Sequence, residues 1–345
     1  MACFFPLPAI KYRDPSNQFL WKVNVGKRDE RSSFVPYTDP LSGEIVEPFS
    51  IPCGKCIGCR LDYSRGWADR CVMESLCHDP DECWFITLTY DDDHIVTEKR
   101  SLLTDKGTLT LYPKDVQDFL KRLRIHWQRS YGVDGIRFFM CGEYGSTTFR
   151  PHYHLLVYGL PIKDLKPFHK NELGQMLFVS DEIQDLWKQG FILIGTMTWE
   201  TCAYTARYVL KKYKGMNAED TKDHYEQAMI VPEYTRMSRM PGIARPYYEA
   251  HKDQIYRQCG GDHRKLCTSE IILPKGRVTT PPKYFDKIKD EEDPVFMTFL
   301  KEARKHVAEL RQMDIMAHTT LDEDAYFKLQ DFKKKNAAKA LTRLL

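Results

Sequence analysis

Residues 151–158 read PHYHLLVY, a stretch that is typical of a mostly buried β-strand. Side chains alternate between the two faces of a strand, so His152 and His154 lie on one face and Tyr153 on the other. Residues 136–143 form a second predicted strand, and a short polar loop joins the two. The pattern therefore predicts an antiparallel pair that presents two imidazoles to one site.

Hydrophobic patterns predict further elements around this pair. Residues 84–90, WFITLTY, are aromatic and β-branched and are typical of a central strand. Residues 113–128 predict an amphipathic helix that starts with proline. The later predictions are a helix at 181–189, a strand at 191–199, a helix at 200–214 and a long helix at about 293–313. The fold class expected is α+β, with a central antiparallel sheet of about five strands flanked by helices.

Composition suggests four parts in the chain. Residues 1–50 are rich in turn-forming and charged residues and are predicted to be an irregular arm. Residues 51–82 form a Cys-rich knuckle and a helix, 83–215 the core domain, and 216–345 a charged, mainly helical region. A chain of 345 residues with 42% hydrophobic content is long enough for one substantial core.

Charge and hydropathy narrow the partners. The net charge is only +3, so contacts with nucleic acid must come from local clusters of basic residues. No stretch approaches the ~20 apolar residues that span a bilayer, and the first residues lack the pattern of a secretory signal. The sequence also contains no Gly-x-x-x-x-Gly-Lys-Ser/Thr motif. We therefore expect a cytoplasmic protein with no membrane partner and no nucleotide cofactor.

The two histidines suggest a metal centre. Two imidazoles alone leave a divalent ion under-coordinated, and Mg²⁺ or Mn²⁺ would need a nearby carboxylate. Glu143, at the end of the preceding predicted strand, is the best candidate for it. The alternative is that His152 and His154 belong to a half-buried strand and bind no metal.

The helix predicted at 200–214 carries two tyrosines. Tyr204 and Tyr208 are four residues apart and share one face of the helix. The basic residues around them would attract a phosphodiester and comprise Arg207, Lys211, Lys212 and Lys214. Tyrosine is a poor nucleophile at its ordinary pKa of ~10, but a metal ion and a nearby cation would activate phosphoryl transfer. The alternative is that both tyrosines only pack in the core.

Three cysteines are spaced for metal binding. Cys53, Cys56 and Cys59 are separated by two residues each, and in a reducing compartment such spacing favours metal over disulfides. Zinc would need a fourth ligand, expected among Cys71, Cys77, His78 and Cys83. Reduced thiols and iron–sulfur binding are the alternatives. The cysteines expected to be isolated thiols include Cys3, Cys141, Cys202, Cys259 and Cys267.

The helix predicted at 113–128 has a basic exposed face. We expect DNA contacts from this face and from the tyrosine helix, through Lys121, Arg122, Arg124, Arg207 and Lys212.

Three segments in this order resemble the motifs of HUH replication initiators: WFITLTY at 84–90, CGEYG with RPHYHLLVYG at 141–159, and AYTARYVLKKYKG at 203–215. Two more, PCGKCIGCRLDYSRGWADRC at 52–71 and SRMPGIARPYYE at 238–249, resemble the initiators of gokushoviruses, a branch of the microviruses. The resemblance covers roughly residues 50–250.

The resemblance implies an HUH endonuclease fold, which is ferredoxin- or RRM-like, and a rolling-circle replication initiator. Such an enzyme nicks the plus strand of the viral replicative form at the origin through a 5′-phosphotyrosine. It leaves a 3′-hydroxyl primer and later rejoins the unit-length circle. The residues implied are His152, His154 and Glu143 as ligands of Mg²⁺ or Mn²⁺, Tyr204 and Tyr208 as nucleophiles, and Lys211 as their neighbouring cation.

The partners implied are origin DNA, a host helicase and a host DNA polymerase, in the cytoplasm of a bacterial cell. A plasmid relaxase or a two-tyrosine transposase would share the same chemistry. In a different class, a non-catalytic module would grip DNA with the Cys knuckle and the basic helix, and its tyrosines would only stack on bases.

Overall fold

The computed structural model describes residues 3–95, 109–145, 148–171, 174–213, 230–257 and 269–339. For residues 31, 208–213 and 338–339 it describes the backbone alone. The chain divides into two compact units. The first comprises Met1–Asp62 and Arg311–Leu341, and the second contains Tyr63–Leu310.

The strands are β1 (Leu7–Asp14), β2 (Asn17–Val25), β3 (Tyr37–Thr38), β4 (Ile45–Val46), β5 (Phe49–Ile51), β6 (Trp84–Thr89), β7 (Arg137–Tyr144), β8 (Pro151–Tyr158), β9 (Lys166–Lys170), β10 (Met176–Val179), β11 (Ile192–Thr196), β12 (Tyr234–Met237), β13 (Ile271–Leu273) and β14 (Arg277–Thr279). The helices are α1 (Ile57–Ser75), α2 (Asp92–Ile95), α3 (Pro113–Tyr131), α4 (Asp181–Trp187), α5 (Trp199–Tyr213), α6 (Arg245–Ile255), α7 (Lys283–Glu292), α8 (Pro294–Ala317) and α9 (Glu323–Lys339). None of these helices is both long and apolar enough to cross a membrane.

The first unit contains a small antiparallel sheet in the order β2-β1-β5. This part of the chain is not the irregular arm that its composition predicts. The Asp14 carboxylate accepts hydrogen bonds from the backbone N–H and the hydroxyl of Ser16, at 3.0 and 2.8 Å, and closes a turn between β1 and β2. Every residue of β2 is exposed. Main-chain pairing builds this sheet, so the alternation of apolar residues that would reveal it is absent.

The second unit is built on a seven-stranded sheet in the order β12-β7-β8-β6-β11-β10-β9. All neighbouring strands are antiparallel. The predicted central strand is confirmed, since β6 is fourth of seven. The antiparallel α+β fold is also confirmed, with seven strands where about five were expected. The short strands β9, β10 and β12 lie at the two edges, where the sequence shows no clear two-residue period.

Helices cover both faces of this sheet. One face packs against α3 and α4 in a core that includes Ile86, Leu88, Tyr153, Phe119 and Trp187. The opposite face packs against α1 and α5 in a second core that includes Phe85, Phe139, Leu156, Met73 and Cys202. His152 and His154 share their face with Leu156, and therefore lie on the side of α1 and α5.

The helices predicted in the second unit are confirmed, with small shifts at their ends. α3 continues to Tyr131 and ends at Gly132, whose φ of 66° is the left-handed conformation that favours glycine. α4 starts where the Ser180 hydroxyl accepts a hydrogen bond from the Ile183 N–H at 3.1 Å. β11 is shorter than the predicted strand 191–199 because α5 already begins at Trp199. The four-part domain division remains a prediction.

Gly190 allows a close approach between the ends of β6 and α4. Its φ is 151°, and a Cβ built there would lie 2.4 Å from both the Asp91 nitrogen and the Thr89 carbonyl oxygen. Both atoms belong to the backbone and cannot rotate away. We expect Gly190→Ala to destabilise the chain by about 2 kcal/mol or more, measured as a lower midpoint of urea unfolding by tryptophan fluorescence.

The matched control is Gly66→Ala in the middle of α1, where an added Cβ meets nothing within 4 Å. It should be neutral or stabilise by up to about 1 kcal/mol, because alanine has the higher helix propensity. Equal midpoints for the two variants would contradict the close packing at Gly190.

Candidate metal centre and tyrosine helix

Strand register brings the candidate ligands together. Glu143 of β7 is directly opposite His152 of β8. His154 is opposite Thr87 of β6. Residues opposite each other in an antiparallel pair point to the same face. The sheet alone therefore places a carboxylate, two imidazoles and a hydroxyl side by side.

The distances agree with this register. Glu143 Oε1 lies 2.7 Å from His152 Nε2 and 2.9 Å from His154 Nε2. The ligand atoms of the three residues all lie within 4.8 Å of one another. Glu143 is only 2% exposed and His154 is fully buried. The proximity of Glu143 to both histidines was expected from the predicted hairpin, and the structure has it.

The other nitrogen of each imidazole is also held. His152 Nδ1 lies 3.1 Å from the Arg150 carbonyl oxygen. His154 Nδ1 lies 3.0 Å from the Thr87 hydroxyl. A carbonyl can only accept, so His152 Nδ1 carries the proton and its Nε2 presents a lone pair to Glu143. Outer hydrogen bonds of this kind orient histidines that bind metals.

This arrangement fits a bound cation. A lone pair of Nε2 facing a carboxylate is repulsive unless a proton or a metal ion lies between them. Burial lowers the pKa of His154, and the hydrogen bond to Glu143 only opposes that effect, so extra protons are disfavoured there. Glu143 Oε2 is buried and has no hydrogen-bond partner among the described residues. These three residues are therefore a candidate site for a divalent ion.

Glu143 is ionised at neutral pH. Burial raises its pKa, but the hydrogen bonds with His152 and His154 outweigh burial and lower the pKa to about 2. The site therefore offers one negative ligand and two imidazoles.

The first tyrosine of α5 reaches this centre. The Tyr204 hydroxyl donates a hydrogen bond to Glu143 Oε1 at 3.2 Å. Its ring meets the His154 ring edge to face, with centroids 5.1 Å apart, and the side chain is 6% exposed. The Arg207 guanidinium lies 5.7 Å from the centre of the same ring. A phenol, a cation and the ligand cluster thus meet at one point.

The second half of α5 is described by its backbone only. Tyr208, Lys211 and Lys212 continue the helix, and their side chains lie outside what the structure describes. Lys214 lies outside the described residues altogether. The roles expected for these residues remain predictions.

The basic face of α3 lies on the other side of the sheet from the histidines. Arg122 Nε donates to the Leu186 carbonyl at 2.9 Å, and both nitrogens of the Arg124 fork donate to the Ile136 carbonyl, at 3.1 and 3.0 Å. These two arginines therefore join α3 to neighbouring segments. Lys121 is exposed. Contact of any of the three with DNA remains a prediction.

The first unit holds a second cluster of metal-ligating side chains. The sulfur atoms of Cys3, Cys53, Cys56 and Cys59 all lie within 4.8 Å of one another. The prediction that Cys3 is an isolated thiol is therefore wrong, and so is the expectation of a fourth ligand among Cys71, Cys77, His78 and Cys83. Strand pairing explains the error, because Leu7 opposite Ile51 brings the start of the chain beside the knuckle. That pairing joins positions far apart in sequence.

Two other residues were missed by sequence reasoning. Thr87 holds His154, and Arg150 offers its carbonyl to His152. The alternation within WFITLTY could have placed Thr87 on one face, but only the register shows which residue is opposite it. Among the remaining cysteines, Cys259 and Cys267 lie outside the described residues.

Comparisons with known proteins agree with this fold and site. Residues 83–213, which run from β6 to the end of α5, match the family model for replication-associated proteins of the ORF2 type. The chain is 32% identical to replication-associated protein ORF2 of Spiroplasma virus 4, over 100% of this chain and 98% of that protein. It is 28% identical to replication-associated protein VP4 of Bdellovibrio phage phiMH2K, over 81% of this chain and 80% of the relative.

A third relative is replication-associated protein ORF4 of Chlamydia phage 1, at 31% identity over 48% of this chain and 39% of that protein. No solved structure was found to match the chain. The chain belongs to the family of phage replication-associated proteins, the replication initiators of microvirus-type phages. Its role is in the initiation of phage DNA replication.

Thr87→Val tests the outer hydrogen bond of the metal centre. Valine keeps the shape of the side chain and removes the hydroxyl at His154 Nδ1. We expect the affinity for Mn²⁺, measured by calorimetry, to fall by roughly 10-fold, because the ring loses a group that orients it.

Thr89→Val is the matched control, on the same strand and the same face. The Thr89 hydroxyl donates to the Phe191 carbonyl at 2.9 Å and holds neither imidazole. Its affinity should stay at the wild-type value. Wild-type affinity in Thr87→Val, or an equal loss in both variants, would show that Thr87 does not support the site.

Proposed function

We propose that this initiator nicks one strand of origin DNA and becomes attached to its 5′ end through a tyrosine. The observation that supports this most directly is the hydrogen bond between the Tyr204 hydroxyl and Glu143, the residue that also contacts both histidines. A structural tyrosine would need only one acceptor. Here the acceptor is the carboxylate at the centre of a set of metal-ligating atoms.

The proposed cofactor is Mg²⁺ or Mn²⁺, held by Glu143, His152 and His154. A carboxylate with two imidazoles and open positions suits a divalent ion that must also take a phosphate oxygen. When bound, the ion would polarise the scissile phosphate and stabilise the negative charge that develops on it.

The chain's own residues supply the nucleophile and its surroundings. The phenol oxygen of Tyr204 or Tyr208 forms a bond to phosphorus, and the bond from phosphorus to the 3′ oxygen breaks. The proton lost by the phenol balances the proton gained by the new 3′-hydroxyl. Arg207, beside the Tyr204 ring, would attract the phosphate and stabilise phenolate, a role in which Lys211 and Lys212 would share.

Two tyrosines one helical turn apart give the enzyme a way to end the cycle. While one tyrosine holds the displaced 5′ end, the second can cut the regenerated origin. The freed 3′-hydroxyl then attacks the first phosphotyrosine and closes a unit-length circle. The phosphodiester energy is kept in the covalent bond, so no nucleotide cofactor is needed for rejoining.

This role implies other partners besides the origin. The 3′-hydroxyl would prime a host DNA polymerase. Since the sequence has no P-loop, strand separation would come from a host helicase. These processes belong to the infected bacterial cell.

A covalent adduct is the direct test of the tyrosines. The full-length chain with Mn²⁺ is mixed with labelled single-stranded oligonucleotides that tile both strands of the genome encoding it. We expect a slow-migrating adduct on a denaturing gel with oligonucleotides from one strand and one region only. In the double variant Tyr204→Phe, Tyr208→Phe the adduct should fall by at least about 100-fold, because phenylalanine has no nucleophile.

The single variants assign the two roles, and Tyr63→Phe on the exposed part of α1 is the control. Tyr63 is 46% exposed, and the substitution should leave the adduct unchanged. An undiminished adduct in the double variant would assign the nucleophile to another residue.

The metal ligands can be tested separately from DNA binding. His154→Ala removes a fully buried ligand, so we expect cleavage to fall by at least about 100-fold while oligonucleotide binding, measured by fluorescence anisotropy, changes less than about 3-fold. His169→Ala, on the exposed edge strand β9, is the matched control and should retain cleavage. Binding without cleavage in the wild-type chain, with either metal and every oligonucleotide, would favour the non-catalytic DNA-binding module.

A further inference from the structure

We infer that Cys3, Cys53, Cys56 and Cys59 form a structural zinc site that holds the first unit together. This site is separate from the proposed nicking chemistry and does not depend on it. Its novel element is Cys3, which lies fifty positions before Cys53 in the chain.

The sulfur geometry suits one tetrahedral ion. Zinc bound by four thiolates has Zn–S distances of ~2.3 Å, which places the sulfur atoms roughly 3.8 Å apart. The Sγ atoms of Cys3 and Cys56 are 4.0 Å apart, and no pair in the cluster exceeds 4.8 Å. The four sulfurs would need to move by less than about 1 Å to meet this geometry. A space of this size accommodates one ion and is too small for a cluster of several irons bridged by sulfide.

Backbone amides already point at the sulfur atoms. The Cys53 N–H donates to the Cys3 sulfur at 3.2 Å, and the Phe4 N–H donates to the Cys56 sulfur at 3.4 Å. The Cys56 and Cys59 N–H groups donate to the sulfurs of Cys53 and Cys56, at 3.4 and 3.5 Å. Four thiolates around Zn²⁺ carry a net charge of −2, and N–H donors stabilise that excess charge. Apolar packing of thiols would not require donors.

The first unit also needs such a crosslink. Its buried apolar cluster consists of only Cys3, Phe4 and Cys56, with a few partly buried neighbours. Every residue of β2 is exposed. Units with so little apolar burial are usually stabilised by disulfides or metals, and an ion that closes a long loop also removes entropy from the unfolded chain. Zinc would therefore supply much of the folding free energy here.

The site also determines where α1 begins. This helix starts at Ile57, between two of the ligands, and Cys59 lies in its first turn. An ion bound to Cys56 and Cys59 would hold that turn in place.

The test measures metal in the full-length chain, purified under reducing conditions. The His152→Ala, His154→Ala variant serves as the background, so that zinc cannot occupy the other centre. Mass spectrometry of the metals should find about one zinc per chain. Adding Cys3→Ser should lower the zinc content by at least half. Adding Cys77→Ser, an exposed cysteine outside the cluster, should leave it unchanged.

Since Cys3→Ser could act by misfolding, X-ray absorption of the zinc in the same background, with all cysteines intact, gives a second readout. We expect a first shell of four sulfurs at ~2.3 Å. Three results would each overturn the proposal: a shell of nitrogen and oxygen, iron in place of zinc, or full zinc content in Cys3→Ser. A chain that takes up no zinc when supplied with it under reductant would also overturn it.

Discussion

The register between β7, β8 and β6 is the constraint on which the rest of the structure depends. It sets Glu143 opposite His152 and Thr87 opposite His154 on one face of the sheet. A slip of one residue would turn every side chain of a strand to the opposite face. The apolar residues of the same strands resist such a slip, since Tyr153 and Leu155 are fully buried against α3 and α4. Hydrophobic packing on one face thus secures the polar chemistry on the other.

Burying a carboxylate requires compensation, and the site provides it. Glu143 lies almost wholly inside the protein, where an unpaired charge would be strongly unfavourable. The two imidazoles and the Tyr204 hydroxyl all reach the same carboxylate oxygen, while the second oxygen has no partner among the described residues. A divalent ion would satisfy both oxygens better than protons would. The same buried geometry that makes the group costly without a cation thus makes it suitable for holding one.

The two metal-ligating clusters achieve their geometry in different ways. The histidine centre lies on a sheet with a core on each face, so its ligands are positioned before any ion binds. The cysteine cluster belongs to a unit with three buried apolar residues, and there the ligands themselves form much of the core. The first arrangement suits a reactive ion whose ligands must stay fixed while substrate enters. The second suits an ion whose role is to fold the chain.

Sequence alone determined the elements with a strong period. The strands around the two histidines, the helix that starts at Pro113 and the helix that carries Tyr204 are each visible in a short window, because alternation and helical spacing are local properties. Glu143 was found in the same way, since a short loop separates its strand from that of the histidines. The family resemblance rested on these same local segments.

Tertiary structure alone decided the contacts between distant segments. Cys3 joins the knuckle through the pairing of β1 with β5, and Thr87 meets His154 through the register of β6 with β8. The hairpin of β1 and β2 escaped prediction because β2 buries no side chain. Sequence spacing also showed Arg122 and Arg124 as free charges, although both donate to main-chain carbonyls. Such contacts depend on long-range packing, which leaves no period in the sequence from which it could be inferred.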